Sequence, residues 1–313
     1  MKWVIRGVGL VFFALISVYL FADLQLKPLN DDARTKAPGN FIELSDGQIH
    51  YRLEGPEDGP LVVLVHGFST PNFIYEQNVE ALNAAGFRTL RFDHFGRGWS
   101  DRPSTRYDVE FYDRALTELL AGLDVQEPFG LAGLSMGGPI VSEFAARYPE
   151  RVNRLVLLVP AGLDTPGAGG VTGALLQTPM IGDWIWRMVG KGVLLGDRQY
   201  DESQRAPENR LRGDVTEQFQ YRGYLQALLS TFRHLPMTAR EDTFTRLAAT
   251  GVPTLAIYGD ADETVLVSSA AKLEALMPNA DIRIVEGGEH GLNYQMHELV
   301  SPWLIDWFSG EAQ

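Results

Sequence analysis

The sequence predicts an α/β protein, with a mostly parallel central sheet, helices on both faces and a helical cap set into the chain. Three observations carry this. Continuous Val-rich apolar runs of strand length recur, Leu61-Val62-Val63-Leu64-Val65 being the clearest, and such runs belong to strands buried on both faces. Helical stretches separate most of the runs, the alternation that builds a parallel sheet. Between residues 162 and about 246 the alternation stops and apolar helical segments replace it, which reads as an insertion.

Taken from the start, Lys2 and Arg6 precede an unbroken apolar run, 7–22, with Trp3, Val4 and Ile5 on the other side of Arg6. Roughly 20 residues at ~1.5 Å each reach ~30 Å, so residues 3–22 are expected to cross a bilayer if Arg6 snorkels. A cleaved signal peptide has the same pattern, but a cut after Ala22 would put Leu20 where a small residue is wanted. The retained transmembrane anchor, 1–22, is the reading taken. Positive charge before the run and Asp23, Asp31 and Asp32 after it predict a single-pass protein of the cytoplasmic membrane with its globular part on the periplasmic side.

A juxtamembrane linker, 23–40, carries Pro28, Pro38 and Gly39. Core structure is expected over 41–162 and 247–313, with the cap at 163–246. Strands are expected at 41–44 and 48–53, around the hairpin signal Ser45-Asp46-Gly47, and then at 61–65, 88–92, 128–134, 155–159, 254–258 and 282–285. Core helices are expected at 75–85, 110–123, 139–148 and 267–277, and cap helices at 175–188 and 221–235. Gly167-Ala168-Gly169-Gly170 reads as a hinge or loop.

Composition excludes several classes of function. With 313 residues, 45% apolar, the chain can bury a large core. A net charge of -13 excludes a nucleic-acid partner, which needs clustered Lys and Arg to displace counterions. Zero cysteines exclude disulfides, a thiolate nucleophile, cysteine zinc ligands and a lipidated N-terminal cysteine.

Chemistry enters at Gly133-Leu134-Ser135-Met136-Gly137, which follows a strand and precedes a helix. That is the setting of a nucleophile elbow, where glycines relieve crowding and Ser135 stands exposed above the sheet. A serine nucleophile needs a base, an orienting acid and preorganised donors for the developing oxyanion. After the 61–65 strand comes His66-Gly67-Phe68, so the backbone N–H groups of Phe68 and Met136 are the candidate donors. Of six histidines only His290 lies in a loop after the last strand, in Glu286-Gly287-Gly288-Glu289-His290-Gly291; His66 is the competing base. For the acid, Tyr258-Gly259-Asp260-Ala261-Asp262-Glu263 offers three carboxylates.

With Asp93-His94-Phe95-Gly96-Arg97-Gly98-Trp99-Ser100, these motifs stand in the order of the α/β-hydrolase superfamily, which the chain resembles from about residue 41 to 308. The resemblance implies that the acid is Asp262, three residues after the strand-ending glycine, with Asp260 as runner-up. It also implies a structural loop at 93–100, with Trp99 near the substrate. Serine at the elbow, where dehalogenase-like and epoxide hydrolase-like members carry aspartate, implies a carbonyl substrate and an acyl-enzyme. Met136, where proline iminopeptidase-like members carry tryptophan, speaks against peptides. The elbow is similar to those of monoacylglycerol lipases and bacterial esterases. An anchor plus a cap containing Leu175, Leu176, Met180, Ile181, Trp184, Ile185 and Met188 resembles membrane-bound lipases and phospholipases A. The same cap residues could simply pack the cap itself.

The expected activity is therefore hydrolysis of carboxylic esters, lipid-like ones above all, by Ser135, His290 and Asp262, with Trp99 and Trp184 at the substrate and no metal or organic cofactor. A cofactor-free hydrolase of carbon–carbon bonds in diketones, or a non-catalytic binding protein on the same fold, are the alternatives.

Overall fold

A computed structural model describes residues 2–166, 170–200 and 210–310. Eight strands form one sheet: β1 (Asn40–Leu44), β2 (Gly47–Glu54), β3 (Leu61–Val65), β4 (Arg88–Phe92), β5 (Phe129–Leu134), β6 (Val152–Leu158), β7 (Thr254–Gly259) and β8 (Asp281–Val285). Their spatial order is β1-β2-β4-β3-β5-β6-β7-β8. β1 and β2 pair as the expected hairpin and β2 joins β4 antiparallel; every later pairing is parallel. β3 and β5 lie side by side in the middle, so the loops after them meet at one edge.

Side-chain alternation explains why the apolar runs are continuous. Val63 and Val65 pack into one buried layer with Leu116 and Phe144, whereas Val62 and Leu64 pack into the other with Val79, Leu82 and Leu304. Successive strand residues point to opposite faces, and both faces are roofed by helices, so no position can be polar without losing ~1.5–3 kcal/mol of burial. The roofing helices are Val109–Gly122 and Gly137–Arg147 on one side, and Glu76–Ala84 and His297–Ser309 on the other. The side chain of Asp108 accepts from the Phe111 amide at 3.1 Å and fixes where the first of these begins.

Among the described residues, the helices Gly170–Gln177, Ile181–Leu195, Leu211–Gln218 and Tyr224–His234 are inserted after β6, and a further helix, Glu241–Thr250, leads into β7. The expected helix 175–188 is two helices. The chain breaks at Pro179, Met180 adopts φ +65°, and Asp183 accepts from the Met180 amide at 2.9 Å to start the second. Leu176, Trp186, Leu194, Tyr224, Leu228 and Leu229 form this insertion's own buried cluster, while Leu175, Met180 and Ile181 remain exposed. Most of the Gly-rich tetrapeptide, 167–169, lies outside the described residues.

The N-terminal segment is a helix, Lys2–Leu24, but the expected membrane span is corrected: among the described residues no helix is long and apolar enough to cross a membrane. The expectation added Trp3, Val4 and Ile5 across Arg6. The uninterrupted run 7–22, at ~1.5 Å per residue, extends ~24 Å, short of the ~30 Å of hydrocarbon. The single-pass assignment is therefore not supported among the described residues.

Candidate active site

β5 delivers Ser135 at a turn that only a strained backbone makes. Ser135 has φ +52°, and its carbonyl accepts from the Gly138 and Ala161 amides at 2.9 and 3.0 Å, which hold the turn closed. The flanking glycines are sterically required. A Cβ on Gly133 would sit 2.5 Å from the Gly137 carbonyl oxygen, and one on Gly137 would sit 2.3 Å from that of Val65.

The loops after β7 and β8 bring the partners. His290 Nε2 lies 2.9 Å from Ser135 Oγ, and His290 Nδ1 lies 2.8 Å from Asp262 Oδ2. The other carboxylate oxygen of Asp262 accepts from the Thr264 and Val265 amides at 2.7 and 2.9 Å, which aims it at the imidazole. All three side chains are buried. Burial opposes a charge on His290, yet the Asp262 carboxylate outweighs it and holds the imidazole pKa above its ordinary value, with Asp197 adding to the effect. Two glycines let the β7 and β8 loops touch: a Cβ on Gly259 would lie 2.1 Å from the Gly288 carbonyl oxygen.

Asp260, the runner-up acid, instead accepts from the Gly287 amide at 2.6 Å and ties the two loops together. His66, the competing base, is fully buried. Its Nε2 accepts from the His94 amide at 3.0 Å, and burial pushes its pKa down to about 4. Beside it Asp93 is also buried, which by itself would raise its pKa; His50 at 2.7 Å and the Asn72 amide at 2.9 Å hold it down to about 2. The Trp99 amide donates to the same carboxylate at 3.0 Å, so Asp93 is the hub of the loop that carries Trp99.

A cavity of about 320 Å³ opens over Ser135 and His290. Phe68, Leu176, Trp186, Val193, Phe232 and Met237 give it an apolar wall, and Asp197, Glu263 and Thr264 line its polar side. Neither Trp99 nor Trp184 is among the described residues that line it. Trp99 packs on the Tyr221 ring at 5.8 Å. Trp184 and Trp186 are two positions apart on one helix, about 200° around its axis, so only one can face the cavity. It is Trp186, whose Nε1 donates to the Leu225 carbonyl at 2.9 Å.

Residues that sequence reasoning missed support the loop after β3. The hydroxyl of Tyr200 lies 2.8 Å from Ser69 Oγ and 2.5 Å from Thr70 Oγ1, and Tyr224 donates to the Ser69 carbonyl at 2.6 Å. Arg97 Nε donates to the Phe68 carbonyl at 3.0 Å. Both tyrosines come from the insertion, so no local pattern around residues 66–70 could have revealed them.

A buried serine within hydrogen-bond reach of a histidine, above a mostly parallel eight-stranded sheet and facing a roofed apolar cavity, fits a hydrolase-type enzyme. The family model described as alpha/beta hydrolase fold matches residues 60–295, and the chain belongs to that family. Among curated relatives, a Synechocystis sp. protein named as a candidate non-heme chloroperoxidase is 30% identical over 264 residues, covering 79% of this chain and 91% of that one. The 2-hydroxy-6-oxononadienedioate/2-hydroxy-6-oxononatrienedioate hydrolase of Paraburkholderia xenovorans is 28% identical over 302 residues, covering 90% and 99%. A solved membrane phospholipase A superposes with a TM-score of 0.69 at 23% identity over 99% of each chain. An esterase of Exiguobacterium antarcticum superposes at 0.71 with 21% identity, over 87% and 100%. At these identities the two superpositions speak to the fold.

Proposed function

We propose that this chain is a serine hydrolase that cleaves carboxylic esters with apolar, lipid-like acyl groups through an acyl-enzyme. Ser135 is the nucleophile, and His290 takes its proton during attack on the ester carbonyl and returns it to the leaving alcohol. Asp262 holds the imidazole in the tautomer that leaves Nε2 free to accept. The Phe68 and Met136 amides are the donors to the oxyanion. Water, activated by the same histidine, then releases the acid.

The observation that carries this reading is the hydrogen-bonded line from Ser135 Oγ through His290 to Asp262, opening onto an apolar cavity. Ser135→Ala is expected to fold normally and to lower kcat for p-nitrophenyl butyrate by about 10³-fold or more. It should also abolish labelling by a fluorophosphonate probe. Turnover retained in pure mutant protein would refute the assignment.

A second reading, hydrolysis of a carbon–carbon bond in a diketone, is favoured by the similarity to the Paraburkholderia hydrolase along nearly all of both chains. Under it the protein turns over such diketones and leaves esters untouched. We also propose that the N-terminal helix holds the protein at a lipid surface. Support comes from its exposed apolar side chains, among them Trp3, Leu10, Phe13, Phe21 and Leu24.

A further inference from the structure

The cavity is apolar along one wall and acidic along the other. Asp197 and Glu263 line it beside His290, and no lysine or arginine does among the described residues. The two carboxylates differ in their partners. Glu263 is met by Arg198 Nη1 at 3.1 Å, and Arg198 is shared with Glu289 at 2.6 Å. Asp197 accepts only from neutral groups among the described residues, the Gln199 amide and Thr264 Oγ1, each at 3.0 Å.

Asp197 comes from the inserted helical segment, just after the helix Ile181–Leu195, yet it is joined to the reacting groups. Thr264 donates its amide to Asp262 at 2.7 Å and its hydroxyl to Asp197 at 3.0 Å, so one residue holds both acids. In so apolar a cavity, a carboxylate held only by neutral donors acts on anything that enters.

We infer that Asp197 is a specificity-determining residue that makes the cavity a charge filter, admitting esters whose acyl and alcohol groups are neutral or cationic and rejecting those bearing a carboxylate. This deepens the ester-hydrolase reading and rests on it. A substrate carboxylate would meet the Asp197 charge and, with no lysine or arginine among the described lining residues, find no partner in exchange for its lost hydration. A neutral acyl chain loses nothing there. A quaternary ammonium group gains a counter-charge. Asp197 also acts on the imidazole, since its field favours the imidazolium that forms as Ser135 attacks.

The test compares kcat/KM for p-nitrophenyl pentanoate with that for two anionic probes. One carries its charge on the acyl side (mono-p-nitrophenyl glutarate) and one on the alcohol side (4-acetoxybenzoate, with p-nitrophenyl acetate as its neutral mate). Wild type is expected to disfavour at least one anionic probe, and Asp197→Asn to raise that probe's relative kcat/KM by about tenfold, the size of one unscreened charge–charge term in a partly wet cavity. Asp197→Glu keeps the charge and is expected to keep the discrimination, which separates charge from shape. Asn keeps an oxygen for the Gln199 amide and turns its NH2 to Thr264 Oγ1, which can accept, and thermal melting checks that each variant is folded. Ratios for both probes that stay within twofold of wild type in Asp197→Asn would overturn the charge filter while leaving ester hydrolysis standing. If wild type turns over none of the neutral esters, the ester reading itself fails, and the filter fails with it.

Discussion

Ser135 carries the clearest sign of a built site, because a non-glycine residue at φ +52° is held there against its own preference by the hydrogen bonds on its carbonyl. Under the proposed mechanism His290 sets the pH behaviour. Only the neutral imidazole can accept the serine proton, and Asp262 overcomes burial to keep the folded-state pKa above the ordinary histidine value of about 6.5. The kcat/KM for a neutral ester is therefore expected to rise with pH, with its midpoint above that of a free imidazole, and to fall as His290 gains its proton. A pH–rate profile from pH 5 to 9 checks this, and a midpoint below 6 would contradict the Asp262–His290 coupling. By the same sign, the stability this pair contributes is complete below about pH 6.5 and is lost as pH rises through the raised pKa.

The loops and helices divide their work. β3 and β5 are neighbours, so His66-Gly67-Phe68 and the Ser135 turn emerge side by side, and a Cβ on Gly67 would come within 3.3 Å of Ser135 Cβ. The loop after β3 is then clamped from above by Tyr200, in the short 3-10 turn Arg198–Tyr200, through the hydroxyls of Ser69 and Thr70. Tyr200→Phe removes a buried hydroxyl and leaves two others without their partner, which costs about 1–3 kcal/mol. The expected result is a kcat lowered several-fold with KM nearly unchanged, because the Phe68 amide would be less well fixed where charge develops in the transition state. Urea unfolding with a short-ester assay reads both effects. A fall in stability with kcat intact would make Tyr200 a packing residue only.

Seen together, the N-terminal segment and the inserted helices are fastened to each other. Asp23 pairs with Arg187 and, at 3.3 Å, with Arg222. Lys27 donates its amide to the Gln220 carbonyl at 2.8 Å and accepts from the Arg222 amide at 2.9 Å. The exposed apolar helix is thus tied to the segment that roofs the cavity. A chain lacking residues 1–22 keeps Asp23 and Lys27 and is expected to hydrolyse p-nitrophenyl butyrate at a rate within a few-fold of the full chain. In density-gradient flotation with phospholipid vesicles, the full chain should rise with the lipid and the shortened chain should stay behind. Equal flotation of both would place lipid attachment elsewhere.

Period and punctuation in the chain were enough to predict the strands, the antiparallel entry, the insertion and residues 135 and 290, while the choice of Asp262 among three neighbouring carboxylates came from the family resemblance; the fold brings all three within hydrogen-bond distance. Each of those depends on local rules: apolar runs at strand length, glycines where backbones touch, a histidine in a loop after the final strand. The cavity wall did not yield to that reading. Trp186 rather than Trp184 faces it, and Asp197, Tyr200 and Tyr224 reach the site from the inserted helices, because which side of a helix faces a cavity is set by how the insertion docks on the sheet. Sidedness of that kind is a property of packing between segments distant in the chain, and only the folded arrangement decides it.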